Sequence, residues 1–479
     1  MRHLFIRGLA WAKGHGPLIL VIAVFAASRA LVYALGVRFD AAPLEHYWQF
    51  LDPELLRTRL FESLFYLHSQ PPLFNLLLGL GLKLSSDHFG AAMHAVYLGL
   101  GLVQSLATYL LLVRLGIRRW TSAGVAAVLS VLPATLLWEN LLFYEYPVAT
   151  LLVASAFVLH QFVRRATVWP GAAFFTLVGA LIYLRSIFQV VWLVLVVCLI
   201  VLVRRDLARP ALVGALLPTL AVVLLLAKNV VVFGVPTTSS WFGMNLAQVV
   251  YSQVPSSERR DLVARGELSR VSSVDPFRPP AEYASVVSIP APRGIPVLDR
   301  MTKSSGEPNM NHLLLVGVSR DYFEDSIRLI RLRPRAYPSA ILEGGKLYFR
   351  SSADLFPGNR DPILGYVKLF DRIVLLRVGF GEIAWTLVFA HVLALLYGLK
   401  RTSDIIRRRV EATPEAVTIA YLWLTLVYVT AVVTFTQVVE NNRIRFFLDP
   451  LVIILLAPAF RDLFRRLRPP AVVADPVAR

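Results

Sequence analysis

The chain has 479 residues, 56% of them hydrophobic and only 17% charged, with a net charge of +18. Soluble domains average about 25% charged residues and far less apolar surface, so a soluble fold is excluded. Nucleic-acid readers gather their cations on one soluble face, whereas here the basic residues fall in short clusters between apolar runs, the pattern of an integral membrane protein; no nucleic-acid partner is expected.

A spanning helix needs about 20 apolar residues, and apolar runs predict ten, near 17–37, 91–113, 121–138, 147–163, 168–184, 187–203, 211–232, 381–399, 415–436 and 447–460. The first follows Arg2, Arg7 and Lys13 and runs past the small residues Ala26-Ala27-Ser28; its length predicts an uncleaved helix rather than a removed signal. Basic clusters at Arg114/Arg118/Arg119, Arg164/Arg165, Arg204/Arg205/Arg209, Lys400/Arg401/Arg407/Arg408/Arg409 and Arg461/Arg465/Arg466/Arg468 all fall on the side of the N-terminus when ten helices cross. The positive-inside rule makes that side cytoplasmic, with both termini there, in a multi-pass protein of the cell inner (plasma) membrane. The apolar stretch 72–84 is too short to cross and, if it did, would invert every later cluster; it reads as re-entrant or interfacial, its leading prolines suiting the first turn of a helix.

The expected fold class is therefore an all-α integral membrane protein. It divides into an N-terminal membrane module, 1–232, whose first outer loop is 38–90; an outer-face region, 233–379; C-terminal transmembrane helices, 380–462; and a cytoplasmic tail, 463–479. The outer-face region is irregular and rich in Pro, Arg and Ser around 256–308, then has helical periodicity over 311–332 and 336–349. The single cysteine, Cys198, lies inside an apolar run and has no intrachain disulfide partner.

Chemistry is sought where polar residues crowd against apolar runs. Asp40 stands where the first helix leaves the membrane, and such a carboxylate either takes a proton from a substrate hydroxyl or is an interfacial acid in water. In His68-Ser69-Gln70-Pro71-Pro72-Leu73 the paired prolines stiffen the chain and aim His68 and Gln70, or the segment simply caps the next helix. Glu145 lies so close to hydrocarbon that it needs a partner, either an arginine or the substrate. Arg185, Arg443 and Arg445 run against the positive-inside bias on the outer side; each either binds a phosphate or pairs internally with Glu440 or Asp449. Lys228 either meets an anionic headgroup or snorkels to the interface. No second histidine stands at metal-ligand spacing, so a divalent cation has no ligand motif and no cofactor is expected.

Taken in order, these pieces resemble the GT-C superfamily of polytopic glycosyltransferases, above all the bacterial group related to protein O-mannosyltransferases and lipid A aminoarabinose transferases. The likeness rests on Asp40 after the first helix, Pro71-Pro72-Leu73 in the first loop, Glu145 at the mouth of a later hairpin and Arg185 closing a helix. It continues with Asn229, Phe233-Gly234 and Ser239-Ser240 after the seventh helix, and with Glu440 to Arg445 ahead of Pro450. The resemblance implies transfer of a hexosyl or pentosyl unit from a polyprenyl-phosphate donor to an extracytoplasmic acceptor (protein, lipid or polysaccharide), with inversion. Asp40, alone or with Glu45, is the implied base; His68, Gln70, Glu145, Arg185, Lys228, Asn229, Ser239, Ser240, Glu440, Arg443 and Arg445 are the implied substrate contacts. Two departures from the family pattern stand out: Ala41 and Ala42 follow Asp40 where a second acid is frequent, and Gln70 precedes the prolines where His or Lys is frequent. The rival reading is a polytopic transporter or lipid flippase, whose ionisable groups lie near the bilayer midplane; a polytopic scaffold is a third.

Overall fold

Apolar runs set the helices of this chain, while prolines and glycines set their ends. The computed structural model describes residues 2–356, 360–377, 379 and 381–467. Among these, all regular structure is helical and β pairing is confined to isolated bridges. Each apolar run expected to cross coincides with a helix or a bent helix pair. Five helices are long and apolar enough to span a bilayer: His15–Ala34, Phe89–Arg114, Glu145–Arg165, Arg205–Phe233 and Pro414–Thr436. Arg119–Val131 and Pro133–Glu139 make a sixth if read as one span bent by 59°. The bend follows from Pro133, which forces Leu132 into an extended conformation and then starts the next helix from its first turn.

The other expected spans fall on Val168–Leu184, Val190–Val203, Trp385–Ile406 and Asp449–Leu467, which are shorter or less apolar, so length and composition do not reach ten. Val190–Val203 has 14 residues, about 21 Å of helix against a hydrocarbon core of about 30 Å. The 72–84 stretch is a helix, Leu73–Leu84, of 12 residues. It lies against the helical turns Pro53–Thr58 and Leu60–Phe65, and Gly79 allows the approach: a Cβ there would stand 2.2 Å from Leu60. The expected tail from 468 onward, with Arg468, lies outside the described residues.

The two ends of the bundle differ. At one, Arg461 donates to the Leu115 carbonyl and to Glu415, and Arg204 reaches the Ala412 carbonyl at 3.1 Å, which draws the basic clusters together. At the other gather the long loops. There Asp40 pairs its backbone with Asn140 and Leu142, forming a parallel bridge to Leu141 that joins the first loop to the 140–144 turn. Below that turn, Arg29 grips Glu139 through two hydrogen bonds, at 2.8 and 2.7 Å, and Tyr146 donates to the same carboxylate at 2.5 Å. A buried pair so fully bonded fixes the bent helices against the first helix and the Glu145–Arg165 helix.

Region 233–379 has its own core, where Trp241, Met244, Val250, Leu315, Val318 and Tyr322 meet, yet it is sewn to the first loop. Asn311 accepts from the backbone of His68 and Ser69 at 2.9 and 3.0 Å and donates to Tyr66. Lys303 Nζ donates to the Tyr47 carbonyl at 2.7 Å, and the Ser304 amide to Asp52 at 3.0 Å. The irregular stretch contains one helix of more than one turn among its described residues, Ser256–Ala264; the two periodic stretches are Leu314–Leu332 and Ala336–Tyr348.

Candidate functional site

Where the first loop, the 138–144 segment, the 185–186 turn, three parts of region 233–379 (239–248, 277 and 355–356) and the 437–443 segment converge, they line a cavity of about 440 Å³. Its surface combines three kinds of group. Aromatic rings come from Tyr47, Trp48, Trp138, Phe143, Tyr144, Trp241, Phe277 and Phe356; amides from Gln49, Gln70, Asn245, Gln248 and Gln437; charge from Arg185, Glu440 and Arg443. Every lining residue sits in a loop, a short helical turn or near a helix end at the loop end of the bundle.

Buried charges underlie the cavity. Glu145, fully buried at the start of the Glu145–Arg165 helix, lies 3.3 Å from Arg443 Nε and 3.7 Å from Arg185 Nη2. Neither of its oxygens has a hydrogen-bond partner among the described residues, and the two guanidinium groups are the cations beside it. Arg443 also pairs with Glu440 at 2.6 Å and lies over the Phe143 ring at 5.0 Å. Burial opposes charge on Arg443, but Glu440 and Glu145 outweigh it and raise its pKa, so it remains a guanidinium at every working pH. Arg185 stacks on Tyr144 and donates to its hydroxyl. Burial pushes that phenol up to about 12 against the pull of Arg185, which keeps Tyr144 a neutral donor. Buried polar atoms without partners are rare in folded proteins and concentrate where a ligand or water completes the set; Arg443 Nε and Arg185 Nε are two more of them.

The residues singled out from the sequence divide into two groups. Gln70, Arg185, Ser239, Glu440 and Arg443 line the cavity, with Glu145 directly beneath. Asp40 stands beside it through the bridge to Leu141, a lining residue, and is half-buried; its Oδ1 accepts from the Ala42 amide at 2.9 Å. No ion pair joins Asp40 to an arginine among the described residues. The others are turned away. Arg445 is spent on Asp449, the Tyr348 and Arg350 carbonyls and Ser352 Oγ. His68 lies between Ser240 Oγ at 2.8 Å and the Asn311 carbonyl at 3.0 Å, and burial holds its pKa down at about 3, so it stays neutral. Lys228 donates to the Leu67 carbonyl at 2.8 Å, and Asn229 to the Thr237 carbonyl at 2.6 Å. Each therefore holds the first loop or the 234–241 turn rather than facing the cavity.

Sequence reasoning missed most of the aromatic and amide lining. One signal was readable: Asn245 and Gln248 are the two polar side chains on the otherwise apolar helix Phe242–Tyr251, three residues apart and so on one face. Tyr47, Gln49 and Gln437 come from loops, where no periodicity marks a face. Among the described residues, no group of three His, Cys, Asp or Glu side chains is arranged to hold a metal ion. Compared with known family models and with curated proteins, the sequence matches none.

Proposed function

We propose that this protein is a membrane glycosyltransferase that moves a sugar from a polyprenyl-phosphate donor to an acceptor on the outer face of the membrane, with inversion at the anomeric carbon. The observation that carries the reading is the composition of one cavity: guanidinium groups over a buried carboxylate, walled by aromatic rings and amides, at the loop end of an apolar bundle. Each group has a use in such a reaction. The apolar faces of a pyranose stack on aromatic rings, its hydroxyls bond to amides, and a phosphate is matched by the planar fork of an arginine. A lipid-linked donor accounts for the site lying where apolar helices end.

In the reaction, the acceptor oxygen attacks the anomeric carbon as the bond from that carbon to the phosphate oxygen breaks. The acceptor proton passes to Asp40, and the electron pair leaves with the polyprenyl phosphate, whose new negative charge is met by Arg443 and, behind it, Arg185. In a site of low dielectric such stabilisation amounts to several kcal/mol, roughly the cost of losing one preorganised donor in other enzymes. Glu145 holds the two cations near each other; Glu440 aligns Arg443 from the cavity side. Tyr144 and the amides of Gln49, Gln70 and Asn245 hold the sugar, and region 233–379, which forms one wall, selects the acceptor.

The test is to incubate the purified protein in lipid with a panel of polyprenyl-phosphate sugars and to measure released polyprenyl phosphate. Release with at least one sugar, dependent on an acceptor, is the expected result. Movement of the intact donor across the bilayer with no release for any sugar would favour the transporter instead.

A further inference from the structure

At the basic end of the bundle, far along the helices from the cavity described above, lies a second concavity of about 470 Å³. It forms where the Val190–Val203 helix and the Trp385–Ile406 helix both end. Its walls are apolar, from Leu202, Val203, Ile405, Ile406 and Val410, and its rim carries Arg205, Arg408 and Arg409. Glu411 is the single acid on that rim. The rim arginines are exposed, and among the described residues none makes a salt bridge, although Arg409 lies near enough to Asp404 for their charges to attract. The neighbouring charges are already spent: Arg204 holds Asp206 at 2.6 Å and the Ala412 carbonyl at 3.1 Å, and Lys400 holds Asp404 at 2.7 Å. The arrangement comes from the local fold. Arg408 takes a left-handed backbone conformation, φ 55°, and the Arg409 amide returns to the Asp404 carbonyl at 2.8 Å, folding the chain back against Ile405 and Ile406.

Below the rim, the two helices touch, and each turns an exposed apolar stripe outward: Val191, Val194 and Leu202 on one, Phe389, Leu396 and Ile406 on the other. Two apolar tracks thus lead to one cluster of cations with a surplus of two positive charges over Glu411. A diacyl lipid with a phosphodiester headgroup has the same layout, two chains below one anion.

We propose that this crevice is a binding site for an anionic phospholipid, its phosphodiester held by Arg205, Arg408 and Arg409 and its acyl chains lying along the two stripes. A neutral zwitterionic lipid gains nothing from the charge surplus, and a free phosphate gains nothing from the apolar walls. The site therefore selects anionic over zwitterionic lipid of the same chains, and lipid over inorganic phosphate. Basic pockets between membrane helices recognise headgroups in this manner, each basic residue adding to the preference.

The experiment is native mass spectrometry of the full chain in detergent with phosphatidylglycerol and phosphatidylcholine of identical acyl chains. The wild type should retain phosphatidylglycerol at least about tenfold better than phosphatidylcholine, and millimolar inorganic phosphate should not displace it. The combined variant Arg205→Gln, Arg408→Gln, Arg409→Gln should bring the two lipids to near parity. Leu202→Trp with Ile406→Trp, which fills the crevice and leaves every charge in place, should weaken retention of phosphatidylglycerol. Equal retention of both lipids by the wild type, or an undiminished preference in the glutamine variant, would overturn the proposal. Displacement by inorganic phosphate would overturn it too, identifying a site for a free anion.

Discussion

Arg443 and Arg445 illustrate what a single residue's setting decides. They are two apart in the helical turn Asn441–Phe446, and residues two apart on a helix point in nearly opposite directions. Arg443 consequently reaches the cavity, while Arg445 faces the back, where Asp449, two carbonyls and Ser352 absorb its donors. The sequence made both conspicuous as cations expected at the end of the bundle opposite the basic clusters, but it could not divide their roles without the helical register of a segment too short to carry a period. Different consequences follow for the two. Arg443→Lys keeps the charge over Glu145 and loses the fork; transfer should fall about tenfold or more, the worth of a charge-assisted hydrogen bond, with a thermal midpoint near that of the wild type. Arg445→Met strands Asp449 and should cost about 3–5 kcal/mol of stability, as breaking a buried pair does, read by thermal unfolding in detergent.

His68 is a residue whose neighbours lie about 170 and 240 positions away in the chain, at Ser240 and Asn311, which is why its motif could be noticed but not interpreted. A carbonyl can only accept, so Nε2 carries the proton given to Asn311, and Nδ1 accepts from Ser240. Its folded pKa of about 3 lies below the ordinary value of 6.5, so between those values the unfolded chain binds a proton that the folded chain refuses. Stability from this site is thus complete above about pH 6.5 and is lost progressively as pH falls toward 3. Thermal midpoints measured from pH 7 to pH 4 should decline, and the decline should be shallower in His68→Gln; parallel profiles would contradict the assignment.

Among the elements, the helices were legible wherever apolar residues run unbroken, but the 121–138 run was expected as one helix and is broken at Leu132 by Pro133. Less legible was the way region 233–379 attaches, since Asn311 and Lys303 reach backbone groups of the first loop that any sequence possesses, while Ser304 meets the Asp52 carboxylate 252 positions away. One contact inside that region is readable only in three dimensions. The Phe242–Tyr251 helix, which presents Asn245 and Gln248 to the cavity, crosses Leu314–Leu332 at Gly243, where an added Cβ would lie 1.7 Å from the Ser319 carbonyl oxygen. Backbone cannot yield as a side-chain tip can. Gly243→Ala should therefore push the helices apart and cost about 1–3 kcal/mol or more, in the range of overpacked cores, measurable as a lowered thermal midpoint.

For the whole molecule, the distribution of polarity is the feature that sequence and structure share. Basic clusters collect at one end and the aromatic, amide-lined cavity at the other, with an apolar bundle between them. The sequence conveyed this asymmetry because charge is excluded from hydrocarbon wherever it has no partner. It did not convey how many helices cross, because helices such as Val190–Val203 reach the required apolarity without the required length. Nor did it convey the cavity wall, which is assembled from stretches far apart in the chain.

The most direct measurement for the proposed reaction is the rate of polyprenyl phosphate release by Asp40→Asn in lipid nanodiscs, set beside its affinity for the donor and its thermal midpoint. Loss of a general base lowers a rate by about 10²–10⁴-fold. A fall of that size is expected, with donor affinity and thermal midpoint unchanged; an unaltered rate would rule out Asp40 as the base.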